Sequence, residues 1–461
     1  MGLITWKFVD QPIASPTVLL DMNNGTTARI QDLQMPAPPL RRSIASNAMS
    51  DGGIVSSAAY DLRELKFTAF LNGPTLTDKI AQLDALKREL AKPSNLLMFM
   101  PPGGSNPVFF HTVRSDDYLP DYQGAARAEW YIQCTILAQP FAIGIRRDLS
   151  QVTVTNDPAA GTNRTLWDMT GIVGDSPTPA FVRLQGLGAG GTAILGQRSV
   201  NNPTAVTLFG QSESATLGTD TTTWSNAIMS GGAGTATSFT TATMATRLTF
   251  TLPTASSPEA LRGRYRVFLR VHTGGTTADF VVRFLQNPAA GQDGINGPQV
   301  SYHANTIWQY LDLGVIDFPA FATPAAVGYS GLTPALASAS LAIQASRANG
   351  ADNLDTDYIY LMPADERVCV VRQTAAVGYV VIDGPNDSTY GMAAGSLPFS
   401  GTLASRVVDN AGGLVSRMGG APVLMPGVTN RWYLLVDKAD VTTTKTVDVS
   451  YWPRWREVAT S

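Results

Sequence analysis

Charge is what this 461-residue chain has little of. Only 15% of its residues are Asp, Glu, Lys or Arg, against a usual share of about 25%. With 44% hydrophobic residues it can still bury cores, so the shortage argues against both disorder and coiled coil, which are charge-rich. Basic runs are missing too: 33 basic residues face 36 acidic ones, for a net charge of −3, and tight tracking of a nucleic-acid backbone is not expected. Cysteine is nearly absent. Cys134 and Cys369 lie in strand-like apolar runs, WYIQCTIL and RVCVV, where buried inert thiols without a disulfide are expected.

Histidine is as scarce. His111, His272 and His303 stand in unrelated contexts, none at ligand spacing from another His, Cys or carboxylate pair, which argues against a zinc site. Neither G-x-S-x-G nor G-x-x-x-x-G-K-[ST] occurs, so acyl and phosphoryl transfer have no visible machinery and no cofactor is expected, while glycoside hydrolysis, which needs only two opposed carboxylates among 36 acidic residues, is left open by composition. The opening MGLITWKFVD has no apolar stretch of signal-peptide length, and Trp6 stands where an acylation motif wants Ser or Thr; export and lipidation are not expected. Residues 318–346 carry no charge, but Pro319, Pro324 and Pro334 with many Ser, Thr and Gly argue against a membrane helix. These readings together predict a soluble protein made in the cytoplasm.

What the chain does have is Gly, Pro and Thr between alternating apolar runs, which predicts a mainly β protein. In residues 1–148, Leu65, Phe67, Ala69 and Leu71 alternate with Lys66, Thr68 and Phe70, and Trp130, Ile132, Cys134 and Ile136 form a second period-two run. Strands NLLMFM and PVFFHTV flank the loop PPGGSNP. Between them and the first run, TLTDKIAQLDALKRELAKP carries Ile80, Leu83, Leu86 and Leu90 on one stripe, Thr75 and Asp78 as a capping box, and Pro93 as the stop. The expected domain is a β-sandwich or split barrel with one packed helix.

Short strands punctuated by Pro and Gly occupy 149–205 and return in 371–461. Between them, 206–370 holds regularly spaced strands such as GRYRVFLRVHT, WQYLDLGVIDF and TDYIYLMP, the pattern of a sandwich or jelly roll. The expectation is therefore a discontinuous domain, 149–205 with 371–461, interrupted by an inserted one, 206–370. Gly186, Gly188 and Gly191 satisfy G-x-G-x-x-G, but TAILGQRSVNNP after them is strand-like; a dinucleotide site needs a helix there, so a Gly-rich hairpin is expected instead.

Two constellations could carry binding. Asp352, Asp355 and Asp357 in GADNLDTDYIYLMP could give hard oxygen ligands to a structural calcium, or serve as ordinary turn formers before a strand. Trp224, Tyr302 and Trp308, with His303 as a hydrogen-bonding neighbour, could form a face for stacking sugar rings, or be packed core. In IWQYLDLG, alternation separates Trp308 and Tyr310 from Gln309 and Leu311, so one of the two sets belongs to the core.

Three stretches give the chain a likeness. They are the run from LRELKFTAFLNG through KIAQLDALKREL, NLLMFM and PVFFHTV to AQPFAIG; the segment GDSPTPAFVRLQG; and APVLMPGVTNRWYLLV with the final VDVSYWPRW. In this order the chain resembles the distal tail (minor tail) proteins of long-tailed, siphovirus-type bacteriophages, and 206–370 looks like a carbohydrate-binding-module jelly roll inserted into that family's galectin-like carboxyl domain. The resemblance implies a structural, non-enzymatic virion protein at the tail tip. It also implies a homo-hexameric ring that joins tail tube protein to the baseplate hub or tail-associated protein, with DNA passing through its lumen and no membrane partner. The insert would bring host adhesion through cell-wall polysaccharide. The strands around Leu65–Leu71 and Trp130–Ile136 are expected to offer the edges that pair between subunits. A secreted glycan-active enzyme with an appended sugar-binding module is the alternative.

Overall fold

The structure is a computed structural model that describes residues 4–46, 53–115, 118–121, 129–159, 165–200, 206–252, 254–255, 263–287, 295–318, 339–392, 406–407 and 415–458. It is mainly β, in antiparallel sheets of β-sandwich character. Among the described residues no helix is long and apolar enough to cross a membrane. The chain divides into two compact units, Met1–Asp148 with Ile172–Thr178 and Ser450–Ser461, and Leu149–Gly171 with Pro179–Val449.

The first unit holds β1 (Thr5–Val9), β2 (Val18–Asp21), β3 (Ala28–Gln34), β4 (Leu40–Ser46), β5 (Gly53–Tyr60), β6 (Arg63–Asn72), helix α1 (Leu76–Leu90), β7 (Ser94–Met100), β8 (Val108–Val113), β9 (Tyr118–Asp121), β10 (Glu129–Ala138) and β11 (Ala142–Gly144). Its main sheet runs β2-β1-β7-β8-β10-β6-β3, while β4 and β5 pair only with each other. Alternation puts Leu65, Phe67, Ala69, Ile132, Cys134 and Ile136 inside, around a fully buried Trp6 that meets Phe67 and Phe99 edge-on, with centroids 5.6 and 6.0 Å away.

The strands expected to offer open edges do not. β6 and β10 pair with each other from Glu129↔Asn72 to Ala138↔Arg63, and β3 and β9 take their other sides. Alternation is blind to this, because a paired strand and an edge strand share one side-chain period.

Helix α1 starts where the capping box places it: the Thr75 hydroxyl accepts from the Asp78 N–H at 3.2 Å, and the Asp78 carboxylate accepts from the Thr75 N–H at 3.1 Å. Its buried row is Lys79, Leu83, Leu86 and Leu90, while Ile80 is 44% exposed. Lys79 occupies the place expected of Ile80 because its stem lies along apolar surface and its ammonium sits 5.9 Å from the Trp130 ring centroid.

In the second unit one sheet has the order Leu166–Met169, Thr429–Asp437, Thr192–Val200, Arg367–Gln373, Val415–Met418. Both of its faces are buried. Ile194, Tyr433 and Leu435 join the core built by Gly263–Thr273, Gln309–Phe318 and Leu354–Pro363, and the alternate residues Ala193, Leu195, Trp432, Leu434 and Val436 are buried on the opposite side. A Cβ at Gly196 would lie 2.6 Å from Met362 Cγ, so the two layers touch closely there.

Gly188 and Gly190 take φ of +86° and +73°, and they lead into the strand Thr192–Val200 rather than a helix, as expected. The turn is not a hairpin, however: Phe181–Gln185 and Thr192–Val200 lie in different sheets. The glycines carry the chain from one layer to the next.

Charge enters this core at more than one place: Arg247, 2% exposed, lies 4.6 Å from the Phe239 centroid and pairs with Asp220 at 3.0 Å. Arg270 and Asp357, both completely buried, form an ion pair. The guanidinium sits 4.4 Å from the Trp308 centroid and donates to the carbonyls of Ile228 (3.4 Å) and Ala439 (3.0 Å), while the Asp357 carboxylate accepts from the Ser230 N–H at 2.9 Å. Tyr358 donates from its hydroxyl to the Asn156 carbonyl at 2.6 Å, and Asp437 accepts from the Tyr310 N–H at 3.0 Å.

This packing sets two expected outcomes, both read by denaturant unfolding of the full chain. Leu83→Ala should cost about 2–5 kcal/mol, whereas Ile80→Ala should stay within about 0.5 kcal/mol. Asp357→Leu should cost about 3–5 kcal/mol by stranding the Arg270 charge, and Arg270→Met added to it should recover most of that loss.

Candidate functional site

Two places gather side chains that sequence alone could not bring together. The first closes the first unit. The strand Arg454–Trp455 pairs with β11, Ala142 opposite Trp455 and Ile143 opposite Arg454, and the Gly144 N–H donates to the Pro453 carbonyl at 2.8 Å. Gly144 has no room for more than a hydrogen: a Cβ there would be 2.6 Å from the Trp455 ring. The segment around Gly174 locks the same strand from the other direction. Gly174 has φ +125°, and its Cβ would be 2.7 Å from the Arg454 carbonyl oxygen. The Asp175 N–H donates to that oxygen at 2.9 Å, and the Asp175 carboxylate accepts from the N–H groups of Arg456 (2.7 Å) and Glu457 (3.2 Å). Thr178 donates its hydroxyl to the Trp452 carbonyl at 3.1 Å.

Beneath this clamp Arg63 is fully buried, lies 5.3 Å from the Phe110 centroid and donates to the Arg456 carbonyl. Burial pulls its guanidinium below the ordinary value, and Asp175 pulls the other way. Three of the stretches that carry the resemblance, AQPFAIG, GDSPT and YWPRW, therefore meet at one point, although they lie up to three hundred residues apart in sequence. The groups present are backbone amides, two glycines, a capping carboxylate and a buried cation. They hold chain to chain, and none is posed as a nucleophile or general base.

The second place is a loop end of the second unit, where the sequence suggested sugar binding. Tyr302 and Trp308 are 5% and 3% exposed, so neither offers a ring face for stacking. Trp308 is stacked on His272 at 4.9 Å, and its carbonyl accepts from the Lys438 N–H at 3.1 Å. Tyr302 stacks on Phe280 at 6.1 Å, and burial pushes its hydroxyl up to about 12. Trp224 is half-buried in the strand Thr221–Ser225. The expectation that one of the two sets in IWQYLDLG is core fails as well: one residue of each, Trp308 and Leu311, is buried, while Gln309 and Tyr310 are half-buried.

His303 alone of these four is open to solvent. Its Nδ1 is 2.7 Å from an Asp279 oxygen, and Asn349 donates to the other oxygen at 2.5 Å while accepting from the Asp279 N–H at 2.7 Å. The hydrogen bond from His303, then that from Asn349, hold the Asp279 carboxyl below its ordinary range. Asp279 and Asn349 went unnoticed in the sequence because strand register brings them to His303: Asp279 is paired with both, on neighbouring strands.

The three carboxylates proposed for calcium do not converge. Asp352 accepts from the N–H and hydroxyl of Thr277 (2.8 and 3.0 Å) and from the Ala278 N–H (3.0 Å). Asp355 is 3.0 Å from His272 Nδ1, and Asp357 belongs to Arg270. Among the described residues no group of three or more His, Cys, Asp or Glu is placed to hold a metal ion. The Pro-Gly-x-x-Asn stretch is a turn closed by its own side chain, Asn430 accepting from the Met425 N–H at 2.8 Å and donating to its carbonyl at 2.9 Å, with Gly427 at φ +75°.

No protein-family model matches the chain, and no curated protein sequence matches it. Among solved structures, the Dit (gp 19.1) protein of phage SPP1, described as a paradigm of the hub adsorption apparatus of phages infecting Gram-positive hosts, is 12% identical. The match covers 77% of this chain and 99% of that one at a TM-score of 0.29. A chain of the phage p2 baseplate in its activated conformation is 9% identical over 76% of this chain and 99% of its own, at a TM-score of 0.27. A carbohydrate-binding module of the β-sandwich superfamily is 9% identical over 78% and 98%, at 0.19. Likeness this loose transfers no function to this chain.

Proposed function

We propose that this protein is a structural, non-catalytic component of the tail tip of a long-tailed bacteriophage. The first unit makes a homo-hexameric ring between the tail tube and the baseplate hub, with the genome passing through its lumen. The reading rests on the resemblance of the sequence to distal tail proteins. The observation that supports it is the convergence of AQPFAIG, GDSPT and YWPRW into one clamp. Three segments distant in sequence that must meet to finish one sheet are expected where they work as a single body.

On the same reading, 206–370 is an inserted domain that carries host adhesion. Contact with host cell-wall polysaccharide then falls to the exposed polar group of His303, Asp279 and Asn349, through hydrogen bonds in place of aromatic stacking.

The test of the ring is direct. The purified full chain should form annuli with sixfold symmetry in electron micrographs and sediment as a hexamer. A chain that stays monomeric at high concentration, with no annuli, removes the reading. Binding of assembled rings to isolated cell wall should fall in His303→Ala with assembly unchanged; equal binding by both proteins removes the glycan contact and leaves the ring.

A further inference from the structure

Sheet edges expose unpaired N–H and C=O groups, and proteins ordinarily guard them with charge or proline. Among the described residues of the first unit, most free edges are guarded in this way. β3 (ARIQDLQ) carries Arg29 and Asp32, β4 (LRRSIAS) carries Arg41 and Arg42, and β9 (YLPD) carries Pro120 and Asp121. Two are not. β2 (VLLD) has Val18 and Leu19 each 44% exposed, and its one charge, Asp21, is paired with Lys7 at 2.9 Å. β5 (GIVSSAAY) has no charge and no proline, and its only partner is β4.

Each unguarded edge has what the other lacks. Beside β2 lies a groove of about 290 Å³ whose walls include Val18, Leu20, Ala69, Leu71 and Leu86. Gln82 also lines it; the side chain donates to the Asn72 carbonyl at 3.1 Å, but its Oε1 is buried without a hydrogen-bond partner. With Asp21, Asn24 and Thr27 also in its lining, the groove thus offers a strand edge, mainly apolar walls and one acceptor in want of a donor, which is what an extended, uncharged polypeptide strand satisfies. β5 is such a strand. A two-stranded hairpin is marginal in water by itself, so β4–β5 gains from a third strand.

We infer that β5 of one copy of this chain adds to the β2 edge of the next and covers the groove beside it. Two different surfaces meet in this contact, so it is heterologous and propagates from copy to copy until a ring closes. The inference rests on the ring reading above and supplies its contact.

Disulfide trapping tests it in the full chain, where the native Cys134 and Cys369 are buried and leave little background. A chain carrying Leu19→Cys with Val55→Cys should give, on oxidation, a covalent ladder running up to the ring. A mixture of the two single variants should stop at dimers, and either alone should give none. Cross-linking by Leu19→Cys alone would show twofold pairing of β2 with itself and overturn the inference. Cysteine is also placed in turn at Ile54, Ser56 and Ser57; if annuli form and none of the positions cross-links, the contact is wrong while the ring stands. If no annuli form at all, the ring reading fails first and this contact with it.

Leu19→Lys, on a half-exposed edge, should keep the circular-dichroism spectrum and weaken assembly by at least about tenfold in concentration. Val18→Glu is the second variant should Leu19→Lys not fold. Annuli that persist in a folded edge-charge variant would also overturn the contact.

Discussion

A sheet with both faces covered has no side on which polar residues can stand, and the second unit is organised around one. The strand Thr429–Asp437 reads WYLLV through its middle because Trp432, Leu434 and Val436 are buried on one face and Tyr433 and Leu435 on the other. Much else depends on this constraint. Gly196 is bare because Met362 presses on it, and Trp308 is core although its sequence surroundings are polar. The layer arrangement also accounts for where the Arg270–Asp357 pair sits. Arg270 lies where a strand of one layer meets the turn after Asp437 of another, and its donors reach acceptors in both. A shift of one layer against the other would break the bond from Arg270 to the Ala439 carbonyl.

The first unit meets a different demand. Its sheet is finished by residues from the far end of the chain, and close approach rather than apolar burial decides which residues fit. Gly144 and Gly174 make room for Trp455 and for the Arg454 carbonyl, and Asp175 caps two consecutive backbone amides. These are short-range steric and hydrogen-bond requirements, so they leave compact sequence signatures, which form one part of the resemblance to tail proteins beside the order of the elements. The segments are recognisable because the backbone allows so few residues there.

Local chemistry was legible in the sequence and long-range neighbourhood was not. The strands of β6 and β10 and the start of α1 could be read because alternation and a capping box are complete within ten residues. Lys79 and Ile80 fit the helix row equally well by spacing, and only the indole of Trp130, fifty residues on, chooses between them. The burial of Tyr302 and Trp308 could not be read because it depends on partners distant in sequence: Tyr302 stacks on Phe280, and Trp308 on His272 beside Arg270. Asp279, His303 and Asn349 were scattered until register aligned them. Strand edges were misjudged for a related reason: which strand lies beside β6 depends on the order of the whole sheet.

The doubly covered sheet also bears on how such a chain can change over generations. An inserted segment is commonly pictured as a cassette that enters or leaves by itself. Here, deleting 206–370 would bare Ile194, Tyr433 and Leu435 as a sticky apolar surface, while a foreign segment dropped into the same loop would meet a wall shaped for Met362 and Arg270. The part that could be exchanged without baring a core is therefore larger than 206–370 and takes in the sheet packed against it.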